Sequence, residues 1–244
     1  MPAFLVHGVP DTSAVWDEVC ERVVRRDVIR PDLPGFAEPL PAGFSPTKEG
    51  YVEWLVAEIE AVGEPVDLVG HDWGSILAVR VATTRPDLVQ TLAFGAGPID
   101  ETYIWHDVAQ LWQSPDVGEQ VMEAITPETM EPGLVDIGLT PAQAARTASH
   151  ITDHMKAAIL PLYRSAVDVG HEWGPALDDG FDKPALAIWG AEDIYVGPEF
   201  AERMAARLGA RVVVLDGCHH WWPLARPDEV ATELQALWSS GSHQ

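Results

Sequence analysis

The sequence predicts an α/β fold, in which a mostly parallel sheet of about six strands carries helices on both faces. Short apolar runs alternate with amphipathic helical stretches along most of the 244 residues. The runs are continuously apolar, which is typical of parallel strands that are buried on both faces. Polar motifs follow directly after several runs, and the sites of parallel sheets lie at the carboxyl ends of the strands.

Strands and helices are predicted in chain order from these patterns. Six apolar runs are interpreted as strands: residues 4–6, 27–30, 66–69, 91–94, 185–189 and 212–215. Apolar stripes with helical spacing predict helices over residues 51–62, 199–208 and 228–238. Pro227 stands at the start of the last helix, where proline is favoured.

Residues 99–180 interrupt this alternation, because they carry helical patterns and no clear strand. Thr140, Pro141 and Gln143 mark a helix start: an N-cap threonine, a proline at the first helical position and a glutamine three residues after the cap. We therefore predict a core domain of residues 1–98 and 181–244, with a helical cap of residues 99–180 inserted over the strand ends.

The amino-acid composition limits which partners and which cellular compartment we expect for this protein. The formal net charge of −23 disfavours nucleic acid and anionic membrane surfaces as partners. No apolar run reaches the roughly 18 residues of a transmembrane helix, and no basic region precedes the first apolar run. The two cysteines, Cys20 and Cys218, fit a reducing compartment. We expect a cytoplasmic protein, and a homodimer is compatible with the sequence.

The stretch Gly-His-Asp-Trp-Gly-Ser at residues 70–75 follows a predicted strand and precedes a helical pattern. This is the layout of the nucleophile turn G-x-S-x-G, with Asp72 in place of serine. Asp193 follows the fifth predicted strand and His220 follows the sixth. Nucleophile, acid and histidine occur in this chain order in hydrolases with such a turn.

These motifs resemble those of α/β-hydrolases of the epoxide hydrolase and haloalkane dehalogenase group. The resemblance rests on HGVP at 7–10, LPGF at 33–36, GHDWGS at 70–75, WGAED at 189–193 and HHWWPL at 219–224. It covers nearly the whole chain, more loosely in the cap. The first strands of the family's usual eight-stranded sheet have no counterpart here, which leaves about six.

Two assignments stay open at this point. His219 occupies a position where the family usually has glycine, so His219 remains an alternative to His220 as the base. Glu192 likewise remains an alternative to Asp193 as the acid, although the family spacing favours Asp193. Cys218 is interpreted as a small core residue.

The residues predict covalent catalysis. A carboxylate can attack a saturated carbon that carries a leaving group, which leaves an ester on Asp72. His220 would activate a water to hydrolyse that ester, and Asp193 would orient the imidazole. The backbone N–H groups of Val9 and Trp73 are the expected donors to the developing oxyanion. This chemistry requires no cofactor and no metal.

The cap is expected to determine which leaving group, an alkoxide or a halide, the site accepts. Opening an epoxide creates an alkoxide that needs a proton, and the resemblance implies that two cap tyrosines supply it. Residues 161–164, Pro-Leu-Tyr-Arg, resemble the segment that presents one of them, so Tyr163 is a predicted proton donor. The usual second position carries no tyrosine. The residues predicted to substitute there are Tyr103, Trp105, His106 and Trp112. These four are predicted to line the substrate pocket together with His7, which is also expected to support the oxyanion turn.

A halide, by contrast, needs only N–H donors, which Trp105 or Trp112 could supply. Val9 has no side-chain donor, which counts against dehalogenases that use asparagine at this position. Residues 73–75 lack the arginines of fluoroacetate dehalogenases. We therefore predict an epoxide hydrolase that acts on a small apolar electrophile and water. The alternatives are a haloalkane dehalogenase and, less favoured because the triad is intact, a non-catalytic ligand-binding protein.

Overall fold

The computed structural model describes residues 1–241 and contains one six-stranded sheet with the order β2-β1-β3-β4-β5-β6. The strands are β1 Ala3–Val6, β2 Val28–Ile29, β3 Val66–His71, β4 Val89–Gly95, β5 Ala185–Gly190 and β6 Arg211–Leu215. Every neighbouring pair of strands is parallel. The predicted fold class is therefore confirmed, and each strand lies where an apolar run predicted it.

Helices connect these strands and cover both faces of the sheet. Within residues 1–241 the helices are α1 Asp17–Arg22, α2 Lys48–Val62, α3 Trp73–Thr84, α4 Asp107–Gln113, α5 Val117–Ala124, α6 Pro127–Asp136, α7 Pro141–Ser149, α8 Asp153–Arg164, α9 Val169–Trp173, α10 Glu199–Leu208, α11 Trp222–Ala225 and α12 Pro227–Gly241. Short 3-10 helices occupy Ser13–Trp16, Pro86–Leu88 and Gly174–Asp179. In this part of the chain, no helix is both long and apolar enough to cross a bilayer.

The burial of the strands explains why their sequences lack alternation. Every residue of β3 and β5 is buried, and so are six of the seven residues of β4. The edge strand β6 is mostly half-buried or exposed. Continuous apolar runs therefore mark the central strands, which have helices on both sides.

The chain between β4 and β5 forms only helices and turns, from α4 to α9. Helix α7 begins as predicted: Thr140 accepts the N–H of Gln143, and the Gln143 side chain accepts the N–H of Thr140. Two residues of this helical insertion, Trp112 and Tyr163, line the same cavity as Asp72 and His220. The insertion thus contributes to the cavity that contains Asp72.

Candidate active site

Asp72 lies on a tight turn between β3 and α3. Its backbone has φ 53° and ψ −122°, a strained conformation for a residue with a side chain. The turn leaves no space around it, because a Cβ at Gly74 would lie 2.1 Å from the carbonyl oxygen of Val6. A Cβ at Gly97 would lie 2.0 Å from the carbonyl oxygen of Asp72. This crowding explains the glycines that flank the aspartate, and the turn presents the Asp72 carboxylate to the cavity.

The turn after β1 supplies a hydrogen-bond donor to this carboxylate. The N–H of Val9 donates to Oδ1 of Asp72 at 2.6 Å. This approach requires glycine at position 8, because a Cβ there would lie 2.2 Å from the same oxygen. Trp73 is the first residue of α3, so its backbone N–H belongs to the helix end whose donors have no partner inside the helix. The Val9 N–H therefore contacts the Asp72 side chain, and the Trp73 N–H stays a predicted donor.

His7 supports the Val9 turn from below. Its Nε2 accepts the N–H of Leu33 at 2.9 Å, so its proton sits on Nδ1, which donates to the carbonyl of Gly8 at 2.8 Å. Burial lowers the pKa of His7 to about 4, which keeps the ring neutral. The prediction that His7 belongs to the substrate pocket is wrong: the ring is fully buried and does not border the cavity.

His220 bridges the two carboxylates that were predicted with it. Its Nδ1 lies 2.8 Å from Oδ2 of Asp193, and its Nε2 lies 3.4 Å from Oδ2 of Asp72. Asp193 is held in turn, because its Oδ1 accepts the backbone N–H groups of Tyr195 at 2.9 Å and Val196 at 3.0 Å. The imidazole therefore has one nitrogen oriented by Asp193 and the other directed at Asp72.

The charges of the neighbouring carboxylates determine the protonation state of His220. Burial disfavours the imidazolium, but the negative charges of Asp193 and Asp72 outweigh burial and raise the pKa of His220 to about 10. Burial also works against an ionised Asp72, yet the hydrogen bond and the charge of His220 lower the pKa of that carboxyl below its ordinary value. At neutral pH the two groups thus form a buried ion pair.

The alternative base and acid lie apart from this arrangement. His219 Nδ1 lies 3.0 Å from the carbonyl oxygen of Glu192, and its Nε2 lies 3.4 Å from the Glu192 carboxylate. The ring packs against Gly138 of the helical insertion. Neither His219 nor Glu192 borders the cavity that contains Asp72.

Two buried residues that the sequence analysis did not select hold the His220 loop. The His71 Nε2–H donates to the carbonyl of His220 at 3.0 Å, and burial lowers the pKa of His71 to about 4. Asp11, in the turn after β1, accepts the indole N–H of Trp221 at 2.8 Å. Burial raises the pKa of Asp11 to about 7. Their positions next to predicted site residues, in HGVPD and GHDWGS, are the signal that could have identified them.

A cavity of about 420 Å³ opens above these groups. It is lined by Val9, Pro10, Asp72, Ile76, Ala96, Gly97, Pro98, Tyr103, Trp105, His106, Val108, Trp112, Thr129, Met130, Gly133, Leu134, Asp136, Ile137, Tyr163, Tyr195, Val196, His220 and Trp221. These residues include no lysine and no arginine, and the His220 imidazolium among them is already paired with Asp193 and Asp72. Within residues 1–241 we find no cluster of three or more histidine, cysteine or acidic side chains arranged to bind a metal ion.

Tyr163 lies at the centre of an aromatic cluster in this cavity. Its ring centroid lies 4.9 Å from that of Trp112, 5.1 Å from Trp105 and 5.3 Å from Trp73. The side chain is 2% exposed. Burial and the negative charge of Asp72 raise the phenol pKa well above its ordinary value, so Tyr163 keeps its proton.

The indole N–H groups of the cluster differ in whether they already have a hydrogen-bond acceptor. The N–H of Trp105 donates to the carbonyl of Ala166 at 3.0 Å, so the proposal of Trp105 as a halide donor is wrong. The buried indole nitrogen of Trp112 has no hydrogen-bond partner in the described part of the chain. Trp112 lines the cavity, whereas the fully buried Trp73 side chain does not.

The remaining predicted pocket residues, Tyr103 and His106, also line the cavity, and they differ in which of their polar atoms are already hydrogen-bonded. Tyr103 donates its hydroxyl proton to the carbonyl of Tyr195 at 3.2 Å, which engages the proton that a leaving group would need. His106 caps α4 by accepting the N–H of Ala109 on Nδ1 at 3.3 Å, so its other nitrogen carries the proton. Tyr195 was not predicted, because it lies outside residues 99–180, where the resemblance places the ring-opening tyrosines. Its place two residues after Asp193, at a strand end, was the available signal.

Comparison with known proteins places this geometry in a family context. A family profile described as "Alpha/beta hydrolase family" matches residues 3–233. The chain is 24% identical over 239 residues to (E)-2-((N-methylformamido)methylene)succinate hydrolase of Acinetobacter baylyi, covering 96% of this chain and 89% of that protein. It is 27% identical over 234 residues to a haloalkane dehalogenase of Bradyrhizobium diazoefficiens, covering 83% of this chain and 75% of that protein.

The fold is also shared with solved structures. A thermophilic esterase from Thermogutta terrifontis superposes with a TM-score of 0.79 at 20% identity, covering 100% of this chain and 91% of the esterase. Similarity at this level identifies the architecture and leaves the reaction to the residues of the site.

Proposed function

We propose that this chain, which belongs to the alpha/beta hydrolase family, is an epoxide hydrolase that opens an apolar epoxide to a diol. The choice of an epoxide rests on Tyr163, whose protonated phenol lines the same cavity as Asp72. The position of the Val9 N–H, 2.6 Å from the Asp72 carboxylate itself, supports the aspartate ester that both candidate reactions share. A hydrolase with a serine nucleophile directs such a donor at the carbonyl of its substrate. A donor on the aspartate fits an oxyanion that develops on the enzyme's own carboxyl group.

The first step is attack by Asp72 on one carbon of the epoxide. A bond forms between an Asp72 oxygen and that carbon, the ring C–O bond breaks, and its electron pair goes to the epoxide oxygen. This oxygen takes the proton of Tyr163, which burial and the Asp72 charge keep on the phenol at neutral pH. The product of the step is an ester on Asp72 that carries a free hydroxyl.

Esterification changes the charge next to His220. The ester is neutral, so one of the two charges that raise the pKa of His220 disappears. The imidazolium then releases its proton, which replaces the one that Tyr163 gave. His220 becomes neutral and can act as a base only after Asp72 has reacted, which orders the two steps.

The second step is hydrolysis of the ester. His220 takes a proton from water, and the hydroxide oxygen bonds to Cγ of Asp72. The N–H groups of Val9 and Trp73 stabilise the oxyanion of the tetrahedral intermediate, and loss of one such donor typically costs about 3 kcal/mol. The ester C–O bond to the substrate breaks with its electron pair on the departing oxygen, which takes the proton of the new Asp72 carboxyl group. The ion pair of ionised Asp72 and protonated His220 is thereby restored.

Residues 99–180 act as the cap in this proposal, and the apolar lining supports a small uncharged substrate. The insertion is tied to the core through Lys48, whose Nζ donates to the carbonyl of Ser165 at 2.6 Å and pairs with Glu172 at 2.8 Å. Ser165 follows Tyr163 by two residues, so this contact fixes the end of α8 that carries the phenol. We extend the proposal to a cytoplasmic location and to water as the second substrate.

A haloalkane dehalogenase with the same triad is the second candidate. The unpartnered N–H of Trp112 in the cavity and the sequence similarity to a haloalkane dehalogenase favour it. Tyr163 counts against it, because its phenol keeps a proton in the cavity and a halide leaving group needs no proton.

The test combines product analysis with an oxygen label. Purified protein is incubated with 1,2-epoxyhexane and, separately, with 1-bromohexane, and diol and bromide are measured. We expect hexane-1,2-diol and no bromide. In H₂¹⁸O, repeated turnover should also place ¹⁸O in the Asp72 carboxylate, detected in the tryptic peptide, because water attacks Cγ. Bromide without diol would transfer the assignment to the dehalogenase, and diol without label on Asp72 would contradict the ester.

A further inference from the structure

We propose that Tyr195 is the second hydrogen-bond donor to the leaving oxygen, acting from the loop of the triad acid instead of from the helical insertion. This assignment rests on the proposed epoxide hydrolysis. It starts from the phenols of the cavity, since three tyrosines line it: Tyr103, Tyr163 and Tyr195. The hydroxyl of Tyr103 is engaged with a carbonyl, as described above, which leaves two phenols for an epoxide oxygen.

Tyr195 is placed rigidly next to the base. Its ring centroid lies 5.2 Å from that of His220 and 5.0 Å from that of His106. Its backbone N–H donates to Asp193 at 2.9 Å, and its carbonyl accepts the hydroxyl of Tyr103 at 3.2 Å. The loop conformation that orients the triad acid therefore also fixes the position of this phenol.

The hydroxyl itself has no assigned structural task. Among residues 1–241 it makes no hydrogen bond, although the side chain is only partly exposed. Burial, followed by the charges of Asp193 and Asp72, raises the pKa of this phenol, so it stays protonated at neutral pH. An unengaged donor that feels the charge of the nucleophile is suited to the alkoxide that the nucleophile generates.

The two phenols have separate tasks in the ring-opening step. Tyr163 transfers its proton to the epoxide oxygen. Tyr195 keeps its own proton and donates a hydrogen bond to the same oxygen, which spreads the negative charge of the transition state over two donors. Because the phenols belong to the insertion and to the core, the epoxide oxygen is held between the two parts of the chain.

Adduct formation measures this step alone. In a His220→Gln background the ester should accumulate, and its formation is followed by quenched-flow intact mass spectrometry. Adding Tyr195→Phe should slow ester formation from a 1,2-epoxyalkane by about 10-fold to 10²-fold. Adding Tyr51→Phe is the matched control: this buried tyrosine lies outside the cavity, donates to the carbonyl of Pro34 at 2.7 Å, and should leave the rate unchanged.

A second epoxide separates donation from packing. An analogue with a trifluoromethyl group next to the ring forms a less basic alkoxide and depends less on hydrogen bonding, so Tyr195→Phe should slow it several-fold less. Equal slowing of both epoxides, or no slowing of either, would overturn the assignment of Tyr195. If His220→Gln forms no ester with any epoxide while wild-type enzyme makes no diol, the proposed function fails and the assignment falls with it.

Discussion

The cavity has a floor and a roof that are built by different interactions. The floor consists of Val9, Asp72 and His220, which the core loops present, with Asp193 behind His220. The roof consists of Trp105, His106, Trp112 and Tyr163, which the helical insertion presents. Hydrogen bonds of 2.6 to 2.9 Å fix the floor, including those from the Val9 N–H to Asp72 and from the His220 Nδ1–H to Asp193. Aromatic packing at centroid distances near 5 Å forms the roof.

This difference separates the chemical steps, which the floor would carry out, from the selection of substrate and leaving group, which the roof would control. A hydrogen-bonded floor tolerates little displacement, because the strength of a hydrogen bond falls steeply with distance and angle. It therefore fits the attack and release steps, which every substrate of the site would share. A roof held by ring packing can be repacked at moderate cost. It fits the choice of substrate and leaving group, and four substitutions or conditions test the division.

The largest effect is expected from Asp72→Asn in the floor. The amide is a poor nucleophile, so diol formation should fall about 10⁴-fold or more. The amide oxygen can still accept the N–H of Val9, so the melting temperature should stay close to that of the wild type. Steady-state diol assays and thermal melts check both statements. Retention of more than a hundredth of the activity would contradict Asp72 as the nucleophile.

His220→Gln should lower diol formation by about 10³-fold or more while the Asp72 ester accumulates. The matched control is His219→Gln, one residue earlier and outside the cavity, which we expect to change the rate less than threefold. Intact mass after mixing with epoxide distinguishes the two variants. Accumulation of the ester in His219→Gln, and not in His220→Gln, would make His219 the base.

A smaller effect is expected in the roof, from Tyr163→Phe. Loss of the proton donor should slow epoxide opening about 10²-fold, since general acid catalysis contributes at least that much. The ring and its packing remain, so the protein should melt within a few degrees of the wild type. Trp112→Phe should change the same rate only a few-fold. A large loss in Trp112→Phe together with an unaffected Tyr163→Phe would favour the dehalogenase.

The last expected effect, about tenfold for each pH unit, is a pH dependence of ester hydrolysis. Only neutral His220 can accept a proton from water, so hydrolysis should accelerate about tenfold per pH unit below the pKa of His220 in the ester. In the free enzyme that pKa is about 10, raised by Asp193 and Asp72. Esterification removes the Asp72 charge, so the pKa falls and the rate should level off below pH 10. Single-turnover decay of the ester from pH 5 to 10 checks this, and a rate that is flat or falls with pH would contradict it.

Much of the floor could be predicted because it depends on local sequence. The carboxyl ends of parallel strands meet at one edge of the sheet, so motifs after β1, β3, β5 and β6 had to converge. The Asp72 turn requires glycines in a fixed pattern, which is visible in six residues. His7 was misplaced because a sequence motif cannot tell which side of a turn faces the core and which faces the cavity.

Less of the roof could be predicted, because its contacts join residues far apart in the chain. The engagement of the Trp105 N–H with Ala166 spans 61 residues, and that of Tyr103 with the Tyr195 carbonyl spans 92 residues. Both depend on how helices and loops pack, and helical periodicity contains no information about such pairs. Tyr195 reaches the cavity from the Asp193 loop, which lies outside the residues where the resemblance places the ring-opening tyrosines.

The sequence by itself determined the fold class, the order of the strands along the chain and the positions of Asp72, Asp193 and His220 at strand ends. The periodicity of burial and the residues of the turns are local properties of the sequence. Parallel pairing of the strands then brings the turns that follow them to the same edge of the sheet. Tertiary structure alone decided that His220 and not His219 contacts Asp72, that the indole of Trp105 is engaged, and that Tyr163 and Tyr195 share a cavity. Those outcomes depend on distances between separate elements, which only packing determines.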